Sequence, residues 1–331
     1  MTTLNYLETD STDPAWNLAY EEYVLMNKRE GDWLILWQNA NTVVVGLNQN
    51  TEEEISHSFV EKNDVTVVRR MTGGGAVYHD LGNLNYSFIT DAGDIEQLSM
   101  ARFTQPVCAA LSAMGAAAVP SGRNDITIDG KKVSGTAQRL YKGRLLHHGT
   151  LLFDSDHAMV AGALNVDPEK FHSKAAKSVR SRIGNIRELL PKDMDIDEFK
   201  ASLLTELSKE GLVRRALDET ELSEIKVLAD GKYRSWDWNF GASPPFTMTN
   251  KRRLDGGTLE VGLTVGSGVI ENIRFRGDFM ALEECHAVCE ALHGIKFLRR
   301  DVKIILDRFD LRTMFGAITT TDILDTIFCD D

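Results

Sequence analysis

Three consecutive glycines at residues 73–75 interrupt the chain between two strand-like runs, residues 65–70 and 83–90. Because glycine has no Cβ, such a run lets the backbone approach a ligand closely and leaves its N–H groups open to an anion. Arg69 and Arg70 precede the glycines and offer the charge and bidentate geometry that phosphate or carboxylate prefers. No Gly-Lys-Ser/Thr follows, so the run is neither a P-loop nor a dinucleotide fingerprint. The segment predicts an anion-binding turn, with a flexible turn between surface charges as the alternative.

Strand-like and helix-like patterns alternate over roughly the first 215 residues, which favours an α/β organisation. Asp-Pro at residues 13–14 is typical of an N-cap followed by proline at the first helical position, and it predicts a helix that ends near Lys28. The β-rich runs at residues 33–37 and 42–47 predict a hairpin. Asp-Gly at residues 129–130 predicts a second hairpin with a tight turn.

The C-terminal part of the chain has a pattern of its own. Residues 233–246 are aromatic and rich in turn formers, and Pro244-Pro245 makes this segment a plausible linker. Beyond it, two strand-like runs over residues 252–276 precede a helical pattern at residues 281–292. These features predict a small α+β unit of about 85 residues.

Charge and hydropathy exclude several classes of protein. Lys+Arg 37 against Asp+Glu 49 gives a net charge of −12, which argues against general binding to nucleic acid or to an anionic membrane. The longest charge-free stretch, residues 103–122, is too weakly apolar for a membrane span and predicts a buried helix. The first residues lack the basic and apolar regions of a signal peptide. Four irregularly spaced cysteines do not form a disulfide framework, so we expect a cytoplasmic protein.

Two further segments carry residues suited to chemistry. In Gly-Lys-Lys-Val-Ser-Gly, Lys132 lies beside a tight turn, where it is either a fixed charge in a cleft or a solvated hairpin lysine. Asn124 and Asp125 precede it and could orient a metal-bound phosphate. His147 and His148 alternate along a strand, so at most one of them faces any given pocket.

Cys285, Cys289 and His293 are spaced i, i+4, i+8, which suggests a metal site at first sight. The same spacing is typical of a helix face that packs against a core, with two thiols as small apolar side chains. Since no fourth ligand falls on that face, the core interpretation is favoured.

Taken together, the runs RRMTGGGAVYHDLGNLNYSF, SGRNDI, GKKVSG and HHGTLL, in this order, resemble those of the lipoate–protein ligases. DPAWNLAYEEY, LWQNANTVVVGLNQN and KSVRSRIGNIREL support the resemblance, which covers nearly all of residues 1–245. It implies a catalytic domain at residues 1–246 with a mixed, largely antiparallel β-sheet flanked by helices, related to biotin ligases and class II aminoacyl-tRNA synthetases. It also implies a small α+β accessory domain at residues 247–331.

The resemblance implies a two-step reaction without a tightly bound cofactor. Lipoate attacks the α-phosphate of ATP in the presence of Mg²⁺, which gives lipoyl-AMP and pyrophosphate. A lysine of a lipoyl domain then takes the lipoyl group and releases AMP. The expected acceptors are 2-oxoacid dehydrogenase acyltransferase subunits and the glycine cleavage H protein, and we expect a monomeric enzyme.

The resemblance also implies roles for individual residues, with Lys132 as the catalytic residue that bridges the acyl carbonyl and the phosphate. The residues expected to bind the nucleotide are Arg70, Gly75, Ala76, Val77, Tyr78, Asn83, Lys132 and Arg182. The residues expected to bind lipoate are Leu18, Glu21, Trp37, Gly46, Arg70, Gly73, Gly74, Gly75, His79, Lys132, Leu146 and His148. Asp125 is the candidate Mg²⁺ ligand, and the loop from Lys177 to Arg187 is expected to close over the adenylate.

Alternative functions remain at this point. An octanoyl- or lipoyltransferase of the same superfamily needs a nucleophilic cysteine, whereas Cys108 lies in an alanine-rich helical run typical of a core. A non-catalytic lipoate-binding protein would keep the apolar pocket without Lys132. Leu146 stands where relatives commonly have phenylalanine, which leaves the choice between octanoate and lipoate open.

Overall fold

The computed structural model describes residues 3–93, 100–122, 124–164, 183–209, 211–243, 246–279 and 285–329. Arg182, most of the loop that begins at Lys177, and Pro244-Pro245 lie outside these residues. The chain forms two compact units. The N-terminal unit contains the residues up to Leu47 together with Thr66–Arg234, and the C-terminal unit contains Asn48–Val65 together with the residues from Ser235 on. The predicted domains, with a boundary after residue 246, assign Asn48–Val65 to the catalytic domain, whereas the contacts group this segment with the C-terminal unit. The predicted boundary stays a prediction.

Strands of the N-terminal unit form one large and one small sheet. In chain order they are β1 (Leu4–Glu8), β2 (Asp32–Trp37), β3 (Thr42–Val45), β4 (Thr66–Arg69), β5 (Val77–His79), β6 (Asn83–Asp91), β7 (Ala118–Ser121), β8 (Asp125–Ile128), β9 (Lys131–Tyr141), β10 (Arg144–Leu152) and β11 (Leu212–Arg214). Within the described residues the large sheet has the order β11-β1-β2-β6-β10-β9-β8-β7, and β4-β3-β5 form the small sheet. The pairs β11-β1 and β1-β2 are parallel and the other pairs of the large sheet are antiparallel. The mixed, largely antiparallel sheet is therefore confirmed.

Helices of the same unit cover both faces of the large sheet. They are α1 (Pro14–Asn27), α4 (Ala101–Ala113), α5 (His157–Ala163), α6 (Ile186–Leu189), α7 (Ile196–Leu207) and α8 (Glu219–Leu228), followed by a π-helical turn at Ala229–Tyr233. The predicted start of α1 is confirmed, because Asp13 caps the helix by accepting the Ala15 N–H at 3.0 Å. The longest described helix, α1, has 14 residues, and no helix in the described part of the chain is long and apolar enough to cross a membrane.

Side chains of the large sheet alternate between two different environments. Leu36, Tyr86 and Leu145 belong to a core that α4 and α7 close with side chains such as Phe103 and Phe199. The residues that adjoin these core residues along each strand face the opposite side of the sheet, where α1 packs against β6 and β10. This second face carries the cavity described below.

The predicted hairpin of residues 33–37 and 42–47 is wrong. β2 pairs with β1 and β6 in the large sheet, whereas β3 pairs with β4 and β5 in the small sheet. The chain leaves one sheet for the other at a turn in which Asn41 has a φ of 35°. The buried carboxamide of Asn39 stabilises this turn through bonds to Asn17 and His79. In contrast, the predicted turn at Asp129 and Gly130 is confirmed, and it joins β8 to β9 with positive φ at both residues.

The C-terminal unit is an antiparallel sheet packed against short helices, which confirms its predicted α+β character, but among the described residues the sheet has three strands where two were predicted. Its elements are β12 (Phe246–Leu254), β13 (Gly257–Gly266), β14 (Val269–Gly277), α9 (His286–Leu292), α10 (Arg299–Leu306), α11 (Leu311–Phe315) and α12 (Thr320–Phe328), with α2 (Thr51–Glu54), α3 (His57–Lys62) and a π-helical turn at Asp237–Gly241. The His57 ring lies against Phe297 and Phe328, with ring centroids 5.5 and 4.9 Å away. Cys285 and Cys289 pack against the core of this unit, and no group of three or more metal-binding side chains is found among the residues described.

Candidate active site

A cavity of about 140 Å³ lies in the N-terminal unit, on the α1 side of the large sheet and next to the three glycines. Many of the predicted site residues line it together. They are Leu18, Trp37, Arg70, Gly74, Gly75, Ala76, Val77, His79, Lys132 and His148. Residues that are up to 130 positions apart in the sequence thus meet in one place, as the resemblance implies.

Other predicted residues lie behind this lining. The Gly46 carbonyl accepts a hydrogen bond from Arg69 at 2.9 Å. The Tyr78 side chain points away and its hydroxyl donates to Asn41 Oδ1 at 2.9 Å, so only its backbone can serve a nucleotide there. Leu146 is fully buried on the same face of β10 as His148. The roles predicted for Gly46, Tyr78 and Leu146 stay predictions.

The Arg70 guanidinium holds the glycine turn in place. Its Nε donates to Thr72 Oγ1 at 3.0 Å, Nη1 donates to the Val44 carbonyl at 3.0 Å, and Nη2 donates to the Gly73 and Gly75 carbonyls at 2.7 and 2.9 Å. Burial lowers the pKa of Arg70 to about 10, so the group is still charged at neutral pH. Arg70 therefore shapes the turn and adds a positive charge to the cavity wall.

Lys132 supplies a second positive charge on β9. Its Nζ lies 2.8 Å from Asp125 Oδ1, and the two side chains are 41% and 32% exposed. The Lys132 carbonyl accepts from the Gly184 N–H at 2.9 Å, which ties this strand to the described end of the predicted loop. Lys132 is the more accessible of the two cationic groups, and its ammonium can reach a ligand in the cavity.

His148 is held by two polar neighbours. Its Nδ1 donates to the buried Glu21 carboxylate, with 2.9 and 3.1 Å to the two oxygens, and its Nε2 lies 2.8 Å from Thr72 Oγ1. His147 points to the opposite face, where its ring stacks on Phe103 with centroids 4.8 Å apart. The prediction that only one of the two histidines faces a pocket is therefore confirmed.

His79 is buried in the cavity wall as a neutral imidazole. Burial, with a smaller contribution from Arg70 and His148, lowers the pKa of His79 to about 3. The Asn39 amide donates to its Nδ1 at 3.2 Å, which leaves the proton on Nε2. Nε2 has no hydrogen-bond partner within the described residues, and the Trp37 ring lies edge-on with centroids 6.1 Å apart.

Sequence reasoning missed several residues of the cavity. They are Val44, Asn85, Thr136, Ala137 and Thr150. Asn124, named above as a residue that could orient a metal-bound phosphate, also lines the cavity. Asn85 is notable because its Nδ2 is buried and has no acceptor in the part of the chain that the structure describes, while its Oδ1 accepts from Asn83 at 3.0 Å. Asn83 itself is buried next to Asn85 and does not line the cavity. The alternation of β6 was the signal that could have found Asn85, because it places Asn85 on the same face of the strand as Asn83 and Ser87.

Comparisons with known proteins match this arrangement. The family model of the lipoyl protein ligase A/B catalytic domain matches residues 13–208, and that of the bacterial lipoate protein ligase C-terminus matches residues 243–327. Lipoate–protein ligase LplJ of Bacillus subtilis is 42% identical over 322 residues, which cover 96% of this chain and 97% of the relative. The chain belongs to the lipoate–protein ligase family. Lipoate–protein ligase 1 of Staphylococcus aureus is 38% identical over 315 residues, with 95% of this chain and 96% of the relative covered.

Solved structures of lipoate–protein ligases share the fold. The bipartite ligase of Thermoplasma acidophilum, described together with its E2 lipoyl domain, is 34% identical with a TM-score of 0.65, over 73% of this chain and 96% of that one. Lipoate–protein ligase A bound with ATP is 29% identical with a TM-score of 0.63, over 73% of this chain and 99% of that one. The predicted family, fold class and ligase activity are thereby confirmed.

Proposed function

We propose that this lipoate–protein ligase activates lipoate with ATP at the cavity beside the glycine turn, and that Lys132 is its main electrostatic catalyst. The observation that carries the proposal is that Lys132 lines the same cavity as Trp37 and Leu18. A positive group and apolar side chains in one cavity suit a substrate with a carboxylate on a hydrocarbon chain.

The first step joins two anions, because the lipoate carboxylate attacks the α-phosphate of ATP and pyrophosphate leaves. Lys132 and Arg70 offset this repulsion, Lys132 through its accessible ammonium and Arg70 through its buried charge. We propose that the backbone of Gly75, Ala76 and Val77, which lines the cavity, wraps the phosphates. The product is the mixed anhydride lipoyl-AMP.

In the second step a lysine amine of an acceptor attacks the acyl carbon of the anhydride. An amide bond forms, the bond between the acyl carbon and the phosphate oxygen breaks, and AMP leaves. Lys132 stabilises the negative charge that develops on the acyl oxygen and on the phosphate. The acceptors that we propose are lipoyl domains, in line with the ligase of Thermoplasma acidophilum that was described with its E2 lipoyl domain. The 2-oxoacid dehydrogenase subunits and the glycine cleavage H protein are the specific candidates.

Asp125 is the residue that we propose to contact Mg²⁺. Magnesium at nucleotide sites takes one or two carboxylates and completes its shell with phosphate oxygens and water. A single carboxylate beside Lys132 fits an ion that arrives with ATP, and it does not fit a site built from protein ligands alone. Bound Mg²⁺ would supply charge neutralisation at the phosphates.

The transferase alternative has less support. No cysteine is part of the cavity lining found among the described residues, and Cys108 is buried in the core on the other face of the sheet. Burial raises the pKa of the Cys108 thiol to about 11, which disfavours the thiolate that a transferase needs. None of the four cysteines forms a disulfide bond within the described residues, and we propose a monomeric enzyme of the reducing cytoplasm.

Exchange between ATP and labelled pyrophosphate tests the proposal. We expect exchange that depends on lipoate and Mg²⁺ and that needs no acceptor protein. Addition of an unmodified lipoyl domain should then give AMP and a lipoylated lysine in equal amounts. Lipoylation without ATP, or an enzyme without lipoate-dependent exchange, would contradict the proposed reaction.

A further inference from the structure

Ser87 lies at the centre of a buried network, although no step of the proposed reaction uses its hydroxyl group. On β6 it pairs with Ile35 of β2 on one side and with His148 of β10 on the other. Side chains of directly paired residues project from the same face of a sheet. Ser87 therefore faces the cavity side of the large sheet, and its side chain is fully buried there.

The Ser87 hydroxyl joins the Trp37 indole to the Glu21 carboxylate. Trp37 Nε1 donates to Ser87 Oγ at 2.9 Å, and Ser87 Oγ donates to Glu21 Oε1 at 2.5 Å. An indole N–H only donates and a carboxylate only accepts, so the group between them must accept from one and donate to the other. A hydroxyl does both, whereas alanine at this position would remove both of these hydrogen bonds.

The far end of this chain of hydrogen bonds is itself fixed. Glu21 also accepts from His148 Nδ1, so its carboxylate is held from two strands while its backbone belongs to α1. Glu21 is almost completely buried, so water does not replace the Ser87 hydroxyl as a hydrogen-bond donor to its carboxylate. Ser87 thus connects the Trp37 ring by hydrogen bonds to Glu21 and His148, in addition to packing against the ring.

We propose that Ser87 is a positioning residue that fixes the rotamer of Trp37 and thereby determines which acyl chains the cavity admits. Trp37 lines the cavity, so the orientation of its ring sets the width available to an acyl chain. Rotating the ring away from Ser87 breaks the bond to Nε1 in a buried site, which disfavours every other rotamer. Without the hydroxyl that restraint is lost, and bulkier acids can displace the ring.

This inference rests on the proposed function, and acid specificity tests it. We compare lipoate with a bulkier aryl-alkyl carboxylic acid in the pyrophosphate exchange assay, using wild type, Ser87→Ala, Ser87→Cys and Ser87→Thr. Ser87→Ala should raise the ratio of kcat/KM for the bulky acid to that for lipoate by about fivefold to tenfold, through KM more than through kcat. Ser87→Cys, of similar size but a weak hydrogen-bonding group, should shift the ratio in the same direction. Ser87→Thr retains the hydroxyl group, so this variant should have the wild-type ratio.

A double-mutant cycle with Trp37→Phe isolates the hydrogen bond from packing. Because phenylalanine has no N–H, Ser87→Ala in that background should change the acid ratio less than about twofold. An equal shift in both backgrounds, or an unchanged ratio in Ser87→Ala and Ser87→Cys with a uniformly lower kcat, would overturn the role of Ser87. A wild-type enzyme without lipoate-dependent exchange would instead overturn the proposed function, and the inference with it.

Discussion

Lys132 Nζ and Asp125 Oδ1 lie 2.8 Å apart at the edge of the cavity, so the proposed catalytic lysine and the proposed magnesium ligand form an ion pair. Both side chains are partly exposed, at 41% and 32%. Pairs with this exposure contribute about 1 kcal/mol or less, because water and salt screen them. An anionic substrate can therefore compete with Asp125 for the lysine ammonium.

Replacement of Lys132 by alanine should lower lipoate-dependent pyrophosphate exchange by roughly 10²–10³, the usual cost of removing one such donor. The fold should be unaffected, because the side chain is 41% exposed. Lys131→Ala is the matched control from the same strand and should keep most of the activity. Retention of more than half of the exchange activity by Lys132→Ala would make Lys131 the next candidate.

Replacement of Trp37 by valine should admit bulkier carboxylic acids and weaken lipoate binding. The indole lines the cavity and is almost fully buried, so its removal both widens the space and takes away apolar contact. The measurement is KM for lipoate and for a series of acids of increasing width, with Trp33→Val as the control because Trp33 lies near the start of the same strand. An unchanged order of preference would mean that other residues set the size limit.

Gly149→Ala should destabilise the protein by about 1–3 kcal/mol. A Cβ on Gly149 would lie 2.6 Å from the Tyr86 hydroxyl oxygen and 2.7–2.8 Å from atoms of its fully buried ring, which has no room to move. A Cβ on Gly73 meets nothing within 4 Å, so Gly73→Ala should keep wild-type stability. Urea unfolding of the two variants measures the difference, and equal midpoints would contradict the close approach of β10 to Tyr86.

Stability should decrease as the pH falls below about 6.5, and His147 should be one cause. Burial lowers its pKa from 6.5 to about 3, so the folded protein holds it neutral while the unfolded chain protonates it. The contribution of neutral His147 to the free energy of unfolding is complete above pH 6.5 and is lost progressively as the pH falls toward 3. At pH 5 the loss amounts to about 2 kcal/mol.

Urea unfolding of wild type and His147→Gln at pH 7.5 and pH 5 measures this effect. The variant should have a smaller difference between the two pH values. His286→Gln is the control, because it makes the same substitution at a histidine that is 75% exposed. The same difference in all three proteins would exclude His147 as a source of acid sensitivity.

Local patterns in the sequence predicted the local structure well. The N-cap at Asp13 and the turn at Asp129 and Gly130 depend on a few neighbouring residues, and both are present. The opposite orientations of His147 and His148 follow from strand geometry alone. The contents of the cavity were predicted through the family resemblance, since no local pattern links Trp37 to Lys132.

Pairings between distant residues were not predictable in the same way. The runs that became β2 and β3 suit a hairpin equally well, whereas each of them pairs with strands that no local pattern connects to it. Likewise, nothing in residues 48–65 indicates that Thr51 donates to the Asn239 carbonyl, 188 positions later. Ser87 was missed because a serine in a strand has no distinctive pattern, and its function depends on Glu21 and Trp37.

The placement of Asn48–Val65 in the C-terminal unit has a consequence for synthesis on the ribosome. The ring of His57 packs against Phe328, which is translated 271 residues later. At about 5–20 residues per second, α2 and α3 wait roughly 15–55 s for the side chains that bury them. During this time Ile55 and His57, both buried in the finished protein, are exposed in a nascent chain. This early segment is therefore open to chaperone binding until the C-terminal unit is complete, and slow codons late in the gene would lengthen its exposure.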